Sequence, residues 1–475
     1  MNNYPFRIGI FGIGLDTYWP QFEGLKSRLE GYLNEVQKKM AGFGAEVISA
    51  GLVDSPEGAM NAAWMFRGRN VEMIFLYITT YALSSTVLPV VRRAGVPVVI
   101  LNLVPEKAID YEKFNRLKDR TAMTGEWLAH CAPCPAPEIA NVFNRAGIRF
   151  HEITGSLRDD PQVWTEVEEW IRAARVKHSM SLNRLGLMGH YYGGMLDVYT
   201  DLTQQLVTFG GHIEMLEVDE LTGLRREVKE GQMRDRMKAF GEEFDIQDDC
   251  NPEDLAEAAR TSVALDRLAE RHKLGSLAYY YQGTGTENEQ SIASIILGSS
   301  LLTARGVPVA GEYEVKNVQA MKILSLLGAG GSFTEYYALD LNEDLVLMGH
   351  DGPGHIAIAS GKTKVRPLKV YHGKVGNGLS VEMSVRPGEV TLLSVIEEPG
   401  GKPALLVAEG ETVEGPVLEI GNTNSRYRFS VGAREFVKRW NAHGPAHHCA
   451  VGVGHRAGAI QKLAQLLNIN VIKVC

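Results

Sequence analysis

The chain has 475 residues, of which 45% are hydrophobic and 22% are charged, and its formal net charge is -8 with a pI near 6.0. This length exceeds what one compact core usually supports, so two to three domains are expected. The acidic balance disfavours a general binder of nucleic acid or of anionic membranes, because either needs a basic face to neutralise phosphates.

The sequence contains no run of eighteen or more apolar residues, and it enters a strand-like segment at Arg7 without a signal-peptide core. We therefore expect a cytoplasmic protein. Five cysteines are too few for a disulfide scaffold, and their odd number leaves at least one unpaired. Cys131 and Cys134 have CxxC spacing in a proline-rich loop without a second pair, so two reduced loop cysteines are favoured over a redox or zinc site.

Strands and helices alternate through residues 1–180. The segment 7–14 reads as a buried strand, and the helical pattern after it places apolar residues on one face, namely Leu25, Leu29, Leu33, Val36 and Met40. Further β-type runs occur at residues 45–53, 71–78, 97–101 and 148–153. Because parallel strands need crossover helices and are covered on both faces, this order predicts a doubly wound, Rossmann-like domain.

A second alternation occupies residues 181–330 and predicts another doubly wound, Rossmann-like domain. Its expected strands are residues 184–189, 212–218, 276–281 and 307–310. Its expected helices are residues 195–209, 225–240, 254–272 and 291–304. The helix at 225–240 carries charges of both signs, which favours a solvated face.

The pattern changes after residue 330, where helices become rare and short β-type runs are separated by turn residues. These runs are residues 365–371, 379–385, 389–396 and 404–408. Helical patterns at 433–441 and 457–467 and a last strand at 469–474 follow them. We predict a C-terminal β-rich domain over residues 331–475, with an antiparallel barrel and terminal helices.

Carboxylates and imidazoles cluster where the predicted elements end. Glu312 follows the strand at 307–310, at the edge where open α/β sheets bind ligands. Glu335 follows a glycine-rich break and His350 ends an apolar run, so three candidate ligands lie within 39 positions. Taken singly, each is more often a solvated glutamate or a hydrogen-bonded histidine than a metal ligand.

Histidine usage favours a shared site over separate explanations. Seven of the thirteen histidines fall in the last 126 residues, His447 and His448 among them. Two carboxylates with two imidazoles form a donor set that suits Mn²⁺, Co²⁺ or Mg²⁺ better than a thiolate-preferring metal. The sequence has no HExxH, GxSxG or GxxxxGK[ST] motif, which disfavours a zinc peptidase, an α/β-hydrolase and a P-loop NTPase.

Four segments, in this order, resemble those of the L-arabinose isomerase and L-fucose isomerase-like sugar isomerases, and the arabinose branch is the closer. They are Gly311-Glu312-x-x-x-Lys316, Ser332-Phe333-x-Glu335-x-Tyr337, Leu345-Val346-Leu347-Met348-Gly349-His350 and Ala446-His447-His448. The resemblance runs along most of the chain. It implies two Rossmann-like domains and a C-terminal domain with a β-barrel, in agreement with the pattern of elements.

The resemblance also implies a metal-dependent aldose–ketose isomerisation through an enediol. Glu312, Glu335, His350 and His448 match the family's ligands for a divalent cation, usually Mn²⁺ with Co²⁺ or Mg²⁺ as alternatives. The two glutamates would also transfer protons. Members of the family are cytoplasmic homo-oligomers, so a trimer, tetramer or hexamer with active sites between subunits is expected. The expected partner is a small sugar, with no nucleic acid and no membrane.

Other positions bear on the choice of sugar. His130 matches a histidine contributed by a neighbouring subunit, Met195 matches a substrate-lining methionine, and His447 is carried over as a substrate-binding residue. Asp16 stands where the arabinose enzymes have a substrate-contacting glutamine, and the loop 282–287 lacks the phenylalanine expected there. These departures lie on the sugar-binding wall, so they leave the identity of the aldose open.

The sequence therefore predicts an aldose–ketose isomerase for a free pentose or hexose, with an L-arabinose-like or D-galactose-like sugar favoured. A different aldose within the same family is one alternative. A non-catalytic sugar-binding or sensor protein is another, since two Rossmann-like lobes also build sugar-binding clefts. An NAD-dependent dehydrogenase is a third, because Gly12 and Gly14 begin a GxGxxG-like pattern in which Thr17 replaces the last glycine.

Overall fold

The computed structural model describes residues 5–283, 287–368, 370–371, 374–375 and 378–475. The chain forms two compact units, Met1–His178 and Ser179–Cys475. The boundaries predicted at 180/181 and 330/331 stay a prediction. Within the part of the chain that is described, no helix is long and apolar enough to cross a membrane.

The first unit is a doubly wound α/β fold. Its strands are β1 (Arg7–Ile13), β2 (Glu46–Val53), β3 (Met73–Tyr77), β4 (Val98–Val104) and β5 (Phe150–Ser156). Its helices are α1 (Leu25–Ala41), α2 (Pro56–Gly68), α3 (Ser84–Ala94), α4 (Tyr111–Arg116), α5 (Arg120–Leu128), α6 (Ala136–Arg145) and α7 (Pro161–Ser181). The strands form a parallel sheet in the order β2-β1-β3-β4-β5. Every residue of β3 is buried, as a central strand with helices on both faces requires.

One cysteine expectation is wrong. Cys131 and Cys134 are joined by a disulfide, whereas reduced thiols were expected. The short segment between α5 and α6 brings their Cα atoms to 5.5 Å, a spacing that allows the bond. The spacing of two cysteines in a sequence does not determine their oxidation state.

The second unit begins with another parallel sheet, in the order β10-β9-β6-β7. Its strands are β6 (Arg184–Gly189), β7 (His212–Leu216), β9 (Ser276–Tyr280) and β10 (Val309–Ala310). The helices of this region are α8 (Leu202–Phe209), α9 (Val218–Arg226), α10 (Glu230–Glu243), α11 (Pro252–His272), α12 (Glu287–Ala293), α13 (Ile296–Ala304) and α14 (Val315–Leu326). The predicted second Rossmann-like sheet is therefore present.

Three helices predicted here as continuous are interrupted. The helix expected over 195–209 is reduced to a 3-10 turn and α8, because the Asp201 carboxylate accepts the backbone N–H groups of Thr203 and Gln204 and starts a new helix. The helix expected over 225–240 is divided between α9 and α10, and the one over 291–304 between α12 and α13. The first of these breaks leaves Met195 in a loop before the 3-10 turn and not in a helix.

The rest of the second unit is β-rich. Its strands are β11 (Gly330–Asp340), β12 (Leu345–His350), β13 (Lys364–Pro367), β14 (Val370–Tyr371), β15 (Lys374–Val375), β16 (Leu379–Glu382), β17 (Gly388–Glu397), β18 (Pro403–Val413), β19 (Thr423–Phe429), β20 (His448–Val453) and β21 (Val471–Lys473). The helices α15 (Ala433–Asn441) and α16 (Ala457–Leu467) complete it. Strands β17-β20-β11-β12-β19-β18 close into an antiparallel barrel through the β17–β18 pairing, and β21 adds to β18 in parallel.

Two of the four β-type runs predicted after residue 330 lie outside this barrel. Strands β13 and β16 pair with each other and with the two-residue strand β8 (Asp245–Ile246) in a separate small sheet. Its apolar residues, including Val365 and Val381, share a buried cluster with Phe240, in α10, and Phe244, directly after that helix. The barrel instead contains β11 and β12. These two segments were not predicted as barrel strands; only Glu335 and His350 within them were singled out, as candidate ligands.

The close approach of β12 to β19 leads to a prediction. A Cβ on Gly349 would lie 1.8 Å from the carbonyl oxygen of Thr423, and a backbone atom inside a barrel cannot move aside as a flexible side chain can. We expect Gly349→Ala to lower the free energy of unfolding by about 2 kcal/mol or more, measured by urea denaturation.

Gly241→Ala is the matched control, because its added Cβ meets no atom within 4 Å and its position in α10 favours alanine. That variant should be at least as stable as the wild type. If Gly349→Ala were equally stable, the pairing of β12 with β19 would be wrong.

Candidate metal centre

Glu312 lies in the turn that joins the second parallel sheet to α14. It follows β10 by two residues, and it and Tyr313 both have left-handed backbone conformations, with φ of 57° and 59°. Such conformations cost a non-glycine residue about 1 to 3 kcal/mol and persist only where the surroundings fix them. Here the N–H of Tyr313 donates to the carbonyl oxygen of Tyr279 in β9, at 3.0 Å. The turn thus holds the Glu312 side chain in a position where it is only 4% exposed.

The register of the barrel brings three other predicted ligands to one rim. In β11, Glu335 is paired with His448, the first residue of β20, on one side. On its other side Glu335 is paired with Gly349, which directly precedes His350 at the end of β12. Three adjacent strands therefore present a carboxylate and two imidazoles at the same end of the barrel.

The side chain of Glu312 meets this rim. His448 Nε2 lies 3.3 Å from Glu312 Oε2, and His350 Nε2 lies 4.0 Å from Glu312 Oε1. The two imidazole rings are 5.2 Å apart, and the ring of Phe333 packs against both. Glu312, His350 and His448, three of the four ligands expected from the sequence, therefore face one another in a buried site.

His447 links the fourth predicted ligand to this group. Its Nε2 lies 3.7 Å from Glu312 Oε2 and 4.0 Å from Glu335 Oε2. The tightest donor set consists of Glu312, His447 and His448, whose potential ligand atoms all lie within 4.8 Å of one another. The structure thus places His447, expected to bind substrate, as close to the carboxylates as the predicted ligands are. Which of these residues bind a metal stays a prediction.

Burial sets the charge state of the two carboxylates. It raises the pKa of Glu312 to about 7; His447 opposes this rise, and the nearby carboxylates of Glu335 and Asp197 add to it. The pKa of Glu335 is also raised by burial. An anion in such surroundings is unfavourable unless a cation lies beside it. Carboxylate oxygens and imidazole nitrogens that converge in this way fit a divalent cation.

Two carboxylates lie behind the histidines. Asp197 Oδ2 accepts hydrogen bonds from the backbone N–H of His447, at 2.9 Å, and from its Nδ1, at 2.6 Å. Glu314 Oε2 lies 3.4 Å from His448 Nδ1. In both histidines, therefore, Nδ1 faces a carboxylate and Nε2 faces Glu312. Outer carboxylates of this kind fix the orientation and tautomer of metal-binding imidazoles.

Asp197 is itself held in place. Its backbone carbonyl oxygen accepts a hydrogen bond from Lys316 Nζ at 2.5 Å, and Lys316 lies in α14, four residues after Glu312. Burial would raise the pKa of Asp197, but its hydrogen bonds with His447 outweigh this, and the net shift is downward. The Asp197 carboxylate is thus ionised at neutral pH and accepts the N–H of His447 Nδ1, so the ring is held with Nε2 towards Glu312.

Asp197 and Glu314 are functional candidates that were not predicted from the sequence. Asp197 is 250 residues from His447, and no local pattern indicates that they meet. Glu314 lies within the segment 311–316, which contains Glu312, and its side chain is fully buried. Its position two residues after a predicted ligand was the signal in the sequence that could have identified it. A charged residue on a buried element is a candidate site residue, because burial requires it to have a partner.

Aromatic side chains line the approach to Glu312. The rings of Tyr192 and Tyr280 lie 4.7 Å apart, and the ring of Tyr191 contacts that of Tyr313 at 4.8 Å. Burial, Tyr192 and the charge of Glu312 all raise the pKa of Tyr280. Met195 is half-buried in the same loop as Tyr191 and Tyr192. Such a wall can pack against the C–H face of an organic ligand while the polar rim binds its oxygens.

The remaining predicted site residues lie in the first unit. Asp16 is exposed in a 3-10 turn after β1. The side chain of His130 is 8% exposed, and its Nε2 lies 3.5 Å from Glu126 Oε1. The sugar-binding roles of both residues, like that of Met195, stay predictions. In the loop 282–287, residues 284–286 lie outside the described residues.

Comparisons with known proteins point to one family. The family model for the L-arabinose isomerase C-terminal domain matches residues 330–470. This range contains Glu335, His350, His447 and His448. An L-arabinose isomerase from Nocardioides sp. (strain ATCC BAA-499 / JS614) is 22% identical to this chain over 355 residues, which is 71% of this chain and 68% of that protein.

The contact between Asp197 and His447 can be tested with Mn²⁺ as a probe. We expect Asp197→Ala to weaken Mn²⁺ binding by about tenfold or more, because the outer carboxylate no longer orients the ring of His447. Electron paramagnetic resonance of free Mn²⁺ would give the dissociation constants.

Asp201→Ala is the matched control. Asp201 lies in the same segment and caps α8, but it has no contact with His447 among those described. Its loss should reduce stability by about 1 kcal/mol and leave Mn²⁺ affinity unchanged. Equal Mn²⁺ affinities for Asp197→Ala and the wild type would show that Asp197 does not position a ligand.

Proposed function

We propose that this chain, which belongs to the L-arabinose isomerase family, is an aldose–ketose isomerase that requires a divalent cation and takes a free pentose or hexose. An L-arabinose-like or D-galactose-like sugar is the first candidate. The observation that carries the proposal is the convergence of Glu312, Glu335 and three histidines at one end of the barrel, with Glu312 within 4.0 Å of each imidazole.

The two carboxylates suit the proton transfers of the proposed reaction. Isomerisation removes a proton from C2 of the aldose, delivers one to C1, and moves a proton between the two oxygens. A general base or acid works best when its pKa lies near the operating pH, and burial brings the pKa of Glu312 to about 7. The Glu335 side chain is 26% exposed, against 4% for Glu312, so it is the more accessible partner for a sugar entering from solvent.

The histidines would bind the cation and the sugar side by side, so that the cation lies next to the oxygens at C1 and C2. When bound, a divalent cation would supply Lewis-acid stabilisation of the negative charge that develops on the oxygens at C1 and C2. Glu312, Glu335, His350 and His448 are the proposed ligands. His447 Nε2, which faces both carboxylates, is positioned to accept a hydrogen bond from a sugar hydroxyl or to bind the cation as well.

The finer parts of the proposal come from the resemblance to the family. Mn²⁺ is the proposed resident cation, with Co²⁺ or Mg²⁺ as substitutes. The proposed protein is a cytoplasmic homo-oligomer, a trimer, tetramer or hexamer, whose active sites lie between subunits and include His130. No nucleic-acid or membrane partner is proposed, in keeping with the net charge of -8.

The proposal is tested by removing metal with a chelator, restoring Mn²⁺, and measuring ketose formation from a panel of aldopentoses, aldohexoses and deoxyhexoses. We expect activity on at least one aldose that is lost on chelation and restored by Mn²⁺. Glu335→Gln should lower kcat by about 10²-fold or more, because it removes a group that transfers protons.

Glu389→Gln is the matched control, since Glu389 is 69% exposed at the start of β17 and should not affect kcat. Activity that survives both chelation and Glu335→Gln would contradict the mechanism. Sugar binding without turnover under every metal condition would favour a sugar-binding or sensor protein.

A further inference from the structure

A second group of reactive side chains lies in the first unit and has no role in the proposed isomerisation. Cys131 and Cys134 lie between α5 and α6, and their sulfurs are bonded. We propose that this pair is a reversible thiol–disulfide exchange site that reacts with small monothiols. The proposal does not depend on the sugar chemistry, since the contacts that hold the pair come from residues 80–145.

The bridge is poorly placed to act as a structural staple. A disulfide restricts the unfolded chain more when it closes a longer loop, and this one joins residues only three positions apart. The elements on either side are already fixed without it. Leu128, at the end of α5, accepts a hydrogen bond on its carbonyl oxygen from Thr80 Oγ1 at 2.8 Å.

The segment after the bridge is anchored in the same way. The Glu138 carboxylate, in the first turn of α6, accepts the backbone N–H of Ser84 at 2.9 Å and the hydroxyl of Tyr81 at 3.1 Å. Ala132 and Ala136 are buried in the core of the first unit. Reduction of the bridge would therefore leave the two thiols close together. Their re-oxidation is then an intramolecular step, which is what makes a dithiol site reversible.

The two sulfur-bearing residues differ in access. Cys131 is 1% exposed, whereas Cys134 is exposed. A thiolate approaching from solvent can thus reach Cys134 more readily than the buried Cys131. Because of this difference in exposure, we assign Cys134 as the sulfur that is attacked and Cys131 as the sulfur that leaves.

The exchange proceeds in two balanced steps. An external thiolate attacks Sγ of Cys134, forms a mixed disulfide with it, and breaks the bond to Cys131, which leaves as a thiolate and takes a proton from water. A second external thiolate attacks the external sulfur of the mixed disulfide and releases Cys134. In total, two monothiols become one external disulfide, and the protein disulfide becomes two thiols.

The other cysteines do not compete for this reaction. Cys250 and Cys449 are buried and Cys475 is partly buried. Burial raises the thiol pKa of all three, so each stays protonated and unreactive at neutral pH. They provide an internal reference for labelling experiments on the native chain.

The test uses the full native chain in buffers with different ratios of reduced to oxidised glutathione. After equilibration, free thiols are blocked in acid, the remaining disulfides are reduced and labelled with a second reagent, and peptides are analysed by mass spectrometry. We expect Cys131 and Cys134 to pass together from oxidised to reduced across the series. Cys250 and Cys449 should stay reduced throughout.

Two single-thiol variants test which sulfur is reached. With oxidised glutathione, Cys134 in Cys131→Ser should form a mixed disulfide about tenfold or more faster than Cys131 in Cys134→Ser, because the first thiol is exposed and the second is buried. Equal rates would overturn the assignment of the attacked sulfur.

Two outcomes for the wild-type chain would overturn the proposal itself. A pair that stays oxidised in every glutathione buffer and is reduced only after unfolding in urea is a structural bridge. A pair that stays reduced in oxidised glutathione alone forms no bridge under native conditions. Neither outcome bears on isomerase activity, which is measured separately.

Discussion

The carboxylate of Glu312 is almost completely buried, and the turn and the barrel strands around it position the groups that compensate its charge. Placing an anion where solvent cannot reach it is costly unless positive charge or hydrogen-bond donors compensate. In the turn after β10, two consecutive residues have left-handed backbone conformations, and this backbone directs the Glu312 side chain inward. The barrel then presents His350 and His448 from two strands, each with Nε2 within 4.0 Å of the carboxylate.

The same constraint connects the fold to its chemistry. Burial brings the pKa of Glu312 close to neutrality, which suits a group that must both accept and release a proton. Asp197 faces Nδ1 of His447 and Glu314 faces Nδ1 of His448, so both imidazoles direct their Nε2 towards Glu312. Lys316, in the helix that follows Glu312, donates a hydrogen bond to the backbone carbonyl oxygen of Asp197. Residues 312–316 therefore position both the central carboxylate and one of the carboxylates behind the histidines.

Local patterns in the sequence predicted what depends on local physics. Both alternations of strand and helix are present, and the position of Glu312 at the carboxyl edge of a parallel sheet follows from the end of β10. An antiparallel barrel was predicted for the C-terminal region, but its strand order was not. Its strand pairings are set by contacts far apart in sequence, such as Glu335 with His448. For the same reason no pattern indicated that Asp197 would meet His447, and the expectation of reduced Cys131 and Cys134 was wrong because spacing does not report oxidation state.

The central claim is that Glu312, together with the rim of the barrel, binds a divalent cation. Anomalous X-ray diffraction from crystals soaked in Mn²⁺, recorded on either side of the manganese absorption edge, tests it most directly. We expect a manganese peak within bonding distance of Glu312 and His448 in the wild type and a weakened or absent peak in Glu312→Gln. A wild-type crystal with no peak at this site, or an unchanged peak in the variant, would contradict it.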